Sequence, residues 1–493
     1  MTEHFPALLV ILPLLAAVLI PFSPAAVKRS AWHISFASAA ASLALAARLA
    51  WETFALGKVS YWFGGWAPPW GIEYSIDPLG ALLLLLTAFV TCAALSYSRA
   101  AAPAELAAER LPYFYSCMLL FTSGLTGIII TGDIFNLYVF IEIASLAGYA
   151  LIAAGRRREA LVASYNYLIL GTIAATFILL GIGYLYMAAG TLNMADLRER
   201  LPQVYHTKTV LTGFAFLVVG LSIKTALFPL HIWLPDAYTH APSPVSALLA
   251  ATGTKVGIYA MIRVIFTVFK PEFNPSTVPM TVILAGLACA GIIYGALMAL
   301  AQTNIKRLLA YSSVSQIGYI ILGAAISNQT AMTGSLLHII NHALMKASLF
   351  MCAGIILMST GAEKTGDLKG LGRRMPLTMA AFTAAACSLA GLPLTAGFIS
   401  KWHLALGAVE AGLWLVVPVI LAGSLLTAVY FWKIIEPAYF SPAGERRPVR
   451  PEAPAGMLAP AVLLAALGVA LGLAAHFPAL GAGRAAALLL GKP

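Results

Sequence analysis

The chain has 493 residues, of which 60% are hydrophobic and 10% charged, with a mean hydropathy of +0.88. A soluble chain carries about 25% charged residues, so soluble enzymes, nucleic-acid binders and secreted scaffolds are excluded. At roughly 21 residues per crossing, the apolar content suffices for about 14 passes through a bilayer. The net charge of +11 resides mostly in short loops between apolar runs. That distribution sets membrane topology and is not the footprint of nucleic-acid binding.

The expected fold is an all-α polytopic membrane protein. The first run, within MTEHFPALLVILPLLAAVLIPF, lacks a basic leader and a small-residue cleavage site and is read as a retained span, 5–25. The following spans are placed at 31–51, 77–97, 112–131, 133–154, 162–188, 208–234, 243–269, 278–300, 305–327, 330–359, 375–405, 412–436 and 456–477. Between them, 52–76 holds Trp62, Trp66 and Trp70 and is expected to cap the interface. The segment 192–204, LNMADLRERLPQV, suits a small amphipathic surface helix, and the tail after 477 is brief. Placing the Lys28–Arg29 connection in the cytoplasm puts more than twice as many loop Lys and Arg inside as outside, with Arg156, Arg157 and Arg158 the clearest signal. Both termini are then on the outer face of a cell (inner) membrane. The cysteines Cys92, Cys117, Cys289, Cys352 and Cys387 are scattered and form no CxxC, so neither a metal site nor a disulfide framework is expected. No cofactor site is expected either.

Charges inside spans carry the most information, because each is costly there. A central lysine costs about 2.5–3.5 kcal/mol on insertion scales, so Lys224, Lys255, Lys346 and Lys401 together cost on the order of 10–14 kcal/mol. They must face a hydrated or paired interior. Glu142 is the one acid deep within a span. Burial disfavours a charged lysine and a nearby carboxylate favours it. A movable or neutralisable Glu142 could therefore eject a lysine's proton; a static ion pair that fixes packing is the alternative. The backbone near the lysines is also expected to be irregular. Pro229 follows Lys224 and removes a helical donor, Gly253 and Gly257 flank Lys255, and Gly391, Pro393 and Gly397 precede Lys401. Breaks at membrane depth are tolerated where they line a cavity, as at transporter ion sites.

In LLHIINHALMKASLF, His338, His342 and Lys346 recur every fourth residue on one helical face, with steps of about 6 Å. Imidazoles pass protons near neutrality, so this face reads as a relay. HIINH lacks the glutamate of a zinc-binding HExxH. His231, His240 and His403 lie near breaks, where hydrogen bonding suffices. The polar string Tyr311, Ser312, Ser313, Ser315 and Gln316 fits either helix–helix hydrogen bonds or a water path.

The segments FNLYVFIEIASLAGYALI, GLSIKTALFPLHIWLPDAYTHAPSPVSALLAATGTKVGIY, NIKRLLAYSSVSQIGY, HIINHALMKASLFM and GLPLTAGFISKW resemble the antiporter-like subunits shared by Mrp-type multisubunit cation/proton antiporters and respiratory complex I. The resemblance runs over about 1–440 and is strongest to the D subunit of the Mrp antiporter. It implies 14 helices, with two inverted five-helix repeats (helices 4–8 and 9–13) and broken helices 7, 8 and 12. The corresponding divisions are 1–110, 111–270, 271–440 and 441–493. By the same resemblance Glu142 and Lys224 match the helix-5/helix-7 pair and Lys255 the helix-8 lysine. His338, His342 and Lys346 match the helix-11 set, and Lys401 the helix-12 ionisable position. The chain stops soon after span 14, so it is not expected to be complex I's most distal subunit, which carries a long lateral helix there.

Three classes of function follow. The leading one is an ion-translocating subunit of an Mrp-type Na+/proton antiporter, a secondary transporter and not an enzyme. The second is a proton-pumping subunit of a redox complex, without a redox centre of its own. A passive membrane scaffold is disfavoured by the cost of the buried lysines. The expected partners are other membrane subunits, protons, Na+ and the lipid bilayer.

Overall fold

The computed structural model describes residues 4–24, 28–273, 279–442 and 452–491; the expected end of span 1, at 25, and start of span 9, at 278, lie outside them. In a bilayer core every backbone polar group must be satisfied internally, and the described residues are almost entirely helical. Thirteen helices among them are long and apolar enough to cross a membrane. In chain order they begin with α1 (Phe5–Phe22), α2 (Ala31–Leu56), α3 (Pro78–Glu105), α4 (Leu111–Ile130), α5 (Ile134–Ala153), α6 (Arg158–Ala189) and α7 (Lys208–Thr225). There follow α8 (Ser243–Val268), α9 (Met280–Ala301), α10 (Ile305–Ile326), α11 (Gln329–Thr360), α13 (Val416–Phe440) and α14 (Ala455–Leu473). The remaining crossing is α12 (Pro376–Ala390), continued after a break by Ala396–Glu410. Short polar caps set several starts: Asp77 accepts from Gly80 N at 2.9 Å, Asp133 from Asn136 N at 2.7 Å and Asn328 from Ala331 N at 2.8 Å.

Two expected breaks are present. α7 ends at Thr225, where Ala226 turns left-handed (φ 57°), and the chain resumes as a helix at Trp233–His240. α12 ends where Gly391 (φ 87°) and Leu394 (φ 70°) adopt the same region. The third expectation needs correction. Gly253 and Gly257 do not interrupt α8; its bonding widens into π-turns at Leu249–Gly253 and Arg263–Val268. α8 is buried on nearly all sides, where no solvent could take up freed carbonyls. A π-turn keeps the ladder internal while changing its register.

The two five-helix units carry the same clasp. In the first, Ile134 N donates to Leu192 O and Met194 N to Gly132 O; in the second, Ile305 N donates to Glu363 O and Thr365 N to Thr303 O. Asp133 and Asn304 cap the helices that follow, and left-handed Gly190 and Gly361 end α6 and α11. One spacing relates all these pairs. α5 and α10 are separated by an odd number of crossings, so the two clasps lie on opposite membrane faces.

Two further features add to the sequence reading. The segment expected as a cap contains a β-hairpin, β1 (Val59–Trp62) with β2 (Glu73–Ile76), registered Val59 to Ile76 and Trp62 to Glu73. Trp62, Trp66 and Trp70 remain exposed on it, at 48%, 70% and 90%. The tail is not a bare end: His476–Leu489 is a helix packed on α3 and α11, held by the small apolar stripe Ala482, Ala485, Ala486 and Leu489. The segment 192–204 forms the expected surface helix at Met194–Arg200.

Close helix pairs depend on glycine. A Cβ on Gly318 of α10 would lie 2.7 Å from Ala288 O and 3.0 Å from Ile292 N of α9. Among the described residues, Gly286 has nothing within 4 Å of that position. Gly318→Val is therefore expected to cost about 1–3 kcal/mol by overpacking, and Gly286→Val close to nothing. Thermal unfolding of the purified chain in detergent measures both.

Candidate functional site

Lys224 sits one residue before the end of α7, at the edge of the break. Its Nζ donates to Ser145 Oγ at 2.7 Å and to Glu142 Oε1 at 3.5 Å. Ser145 spends its own proton on Ile141 O at 2.6 Å, which turns the hydroxyl lone pairs toward the ammonium. Glu142 and Ser145 are one turn apart on α5. The lysine side chain is 7% exposed and the carboxylate 25%. Glu142 lies on the outward stripe of α5, between exposed Phe135, Val139 and Leu146. A cavity of about 40 Å³ beside Lys224 is lined by Ser145, Tyr167, Gly253 and Gly257, room for one or two waters.

The other buried lysines have no carboxylate within ion-pair distance among the described residues; they rest on backbone carbonyls. Lys255 bonds to Ala250 O, inside the π-turn that loosens α8. Lys346 bonds to Leu309 O at 2.7 Å and to Ser312 Oγ. Lys401 bonds to Leu389 O at 2.9 Å and Ala390 O at 3.2 Å. Those are terminal carbonyls of α12, left without helical donors by the break and carrying the negative end of its dipole. The Lys401 ammonium also lies 4.7 Å from the Tyr319 ring centre, a cation–π contact.

Between these amines stand the imidazoles. His338 Nδ1 is 2.8 Å from Ser400 Oγ, and Nε2 is 2.9 Å from Gln316 Oε1. His342 is fully buried and neither ring nitrogen has a hydrogen-bond partner among the described residues. The two rings stack with centroids 5.9 Å apart. The charges of Lys255, Lys346 and Lys401 all bear on His342. Lys255, Lys346, His342, His338 and Lys401 thus form one buried group. Lys224 is held apart from them by its own partners, Glu142 and Ser145, while Gly257 of α8 lies against its carbonyl.

The model of the NADH:quinone oxidoreductase/Mrp antiporter transmembrane family matches residues 131–427, which begins at the first clasp and takes in every one of these side chains. The chain belongs to that family. It is 47% identical to the N subunit of NADH-quinone oxidoreductase from Desulforudis audaxviator over 96% of both chains. It is 30% identical to the D subunit of the Na(+)/H(+) antiporter from Bacillus subtilis, over 96% of this chain and 94% of that one. Among solved structures it is similar to a chain of the Mrp complex from Dietzia sp. DQ12-45-1b, with a TM-score of 0.91, 26% identity, and 99% and 97% of the two chains covered.

Within this antiporter-family fold, several polar partners leave no signal in the sequence. Ser145 and Ser400 carry no pattern of their own, and Tyr319 and Gln316 belong to a stretch that also fits plain helix packing. Arg263 is visible as a charge inside a span, but its partner Asp77 is distant in sequence. Arg263 Nη1 lies 2.6 Å from Asp77 Oδ2, a second bond joins Nη2 to Oδ1, and the guanidinium stacks over Tyr259. On the side of the Arg156–Arg158 loop, a cavity of about 270 Å³ is lined by Glu105, Arg156, Arg157, His240, Lys306 and Glu363 among others. Arg157 pairs there with Glu363. Of the weaker histidines, His240 lines this cavity, His403 donates from Nδ1 to Ile399 O at 2.9 Å, and His231 Nδ1 has no partner among the described residues. No three His, Cys, Asp or Glu among the described residues converge on one point.

Asp77→Ala would strand the buried Arg263 guanidinium and is expected to destabilise the protein by about 3–5 kcal/mol. Adding Arg263→Met should recover most of that loss. Thermal unfolding of the single and double variants tests the pair.

Proposed function

We propose that the chain is the ion-translocating subunit of a multisubunit Mrp-type Na+/proton antiporter, and that protons move along Glu142, Lys224, Lys255, His338, His342, Lys346 and Lys401. One observation carries the reading: a buried group of three lysines and two histidines with no carboxylate, among the described residues, within ion-pair distance of any of the lysines. A purely structural role would require only one cation per acid, and the amines are costly where they stand. Lys224 and Glu142 supply the controlling pair. At 3.5 Å their attraction amounts to about 5 kcal/mol at an effective dielectric near 20. Making or breaking that contact decides whether the lysine keeps its proton.

The matching clasps support two inverted units, helices 4–8 and 9–13, each supplying one broken helix with a lysine. The Glu142 stripe supports a partner membrane protein against α5, since a carboxylate at that depth is not left to lipid. The excess of Lys and Arg on one set of loops supports a cell (inner) membrane location with both termini outside. A second reading rests on the 47% identity to a redox-complex subunit: the same machinery would then pump protons driven by electron transfer in partner chains.

Lys224→Ala is expected to reduce proton transport by the reconstituted complex to background while the complex still assembles. Wild-type rates in that variant would refute the relay. Glu142→Gln should remove the coupling of transport to the cation gradient, seen as a flat pH response. Mass spectrometry of the purified complex separates the two readings: small membrane subunits for the antiporter, iron–sulfur or hydrogenase subunits for the redox pump.

A further inference from the structure

His338 is held from both sides, and the two partners are unlike. Ser400 Oγ lies 3.0 Å from Gly397 O and donates to it. With the hydroxyl proton directed at Gly397 O, its lone pairs face His338 at 2.8 Å and Nδ1 is the protonated nitrogen. That leaves Nε2 as the atom whose proton comes and goes. Opposite Nε2 stands the Gln316 amide, its carbonyl oxygen at 2.9 Å; in that orientation Nε2 donates. With both nitrogens donating, the ring is an imidazolium. In the same arrangement Gln316 Nε2 is buried with no hydrogen-bond partner among the described residues. An orphaned buried N–H is rarer than an under-used carbonyl. The two ends of the amide have nearly the same shape. A half-turn about its last bond exchanges them without repacking, and would aim the NH2 at an unprotonated Nε2.

We infer that Gln316 is a positioning residue for the relay, whose amide turns over as His338 gains and loses its Nε2 proton. With the proton present, the carbonyl accepts it; once the proton has passed along the row, the amide donates to the bare nitrogen. The charge-assisted bond is the stronger of the two, so the amide on balance favours the imidazolium. The groups that act on His338 are His342 on its own helix, Lys255 from α8, Tyr319 from α10 and Lys401 from the second half of helix 12. None of them contacts Nε2 by a hydrogen bond, which leaves the amide as the adjustable partner. The inference rests on the translocation reading for its purpose, but not for its chemistry.

The test uses the whole complex, as wild type, Gln316→Met and Gln316→Glu. Two measurements are made: the pH profile of proton transport in proteoliposomes, and infrared difference spectra between acidic and alkaline samples. Gln316→Met should move the profile to lower pH by roughly one unit, and Gln316→Glu to higher pH by a similar amount. The wild-type difference spectrum should hold a side-chain amide carbonyl band that Gln316→Met removes. Profiles that move together, or not at all, or an amide band insensitive to pH, overturn the inference. Should Gln316→Glu fail to assemble, the infrared comparison of wild type with Gln316→Met decides alone. A responsive amide band in a wild-type complex that moves no protons would refute the translocation reading and leave Gln316 as inferred.

Discussion

Everything in the interior follows from how a positive charge is kept without an acid beside it. Lys255, Lys346 and Lys401 donate their hydrogen bonds to main-chain carbonyls and a hydroxyl. A carbonyl solvates an ammonium but does not neutralise it. Each amine therefore stays sensitive to charge elsewhere, where a carboxylate would have locked it in one state. For Lys401, helix interruption is the means of exposing those carbonyls. The interruption of helix 12 presents oxygen atoms that a regular helix would have used itself, and in α8 the Lys255 ammonium reaches a carbonyl within the π-turn.

The two five-helix units divide this work unequally. The first holds the Glu142–Lys224 pair, where opposite charges meet at the rim of the bundle. The second holds the histidines and Lys401, enclosed and without an acid partner among the described residues. Lys255 belongs by sequence to the first unit and by electrostatics to the second, so α8 is the seam between them.

Hydropathy alone located the crossings, because a bilayer allows so few backbone solutions. The break after Lys224 was readable because Pro229 forbids a regular continuation. The glycines near Lys255 were read in the same way and gave a different result. Glycine permits a break and does not compel one, and dense burial selected a π-turn. Depth along a helix was available for Glu142, but its direction around the helix was not, since α5 is apolar on nearly every face. Pairings between distant segments, such as Asp77 with Arg263 or Gln316 with His338, are set by tertiary packing and leave no local pattern. The hairpin at 59–76 was obscured by its tryptophans, which suit an interface in any conformation.

The placement of Glu142 on an outward stripe bears on assembly. A copy of the chain without neighbours would turn the exposed quarter of that side chain toward hydrocarbon, with the Lys224 ion pair on its other side. An adjoining protein would bury that stripe. On the proposed function, the exposed edge of the acid marks the side of α5 from which a neighbouring membrane subunit would cover it.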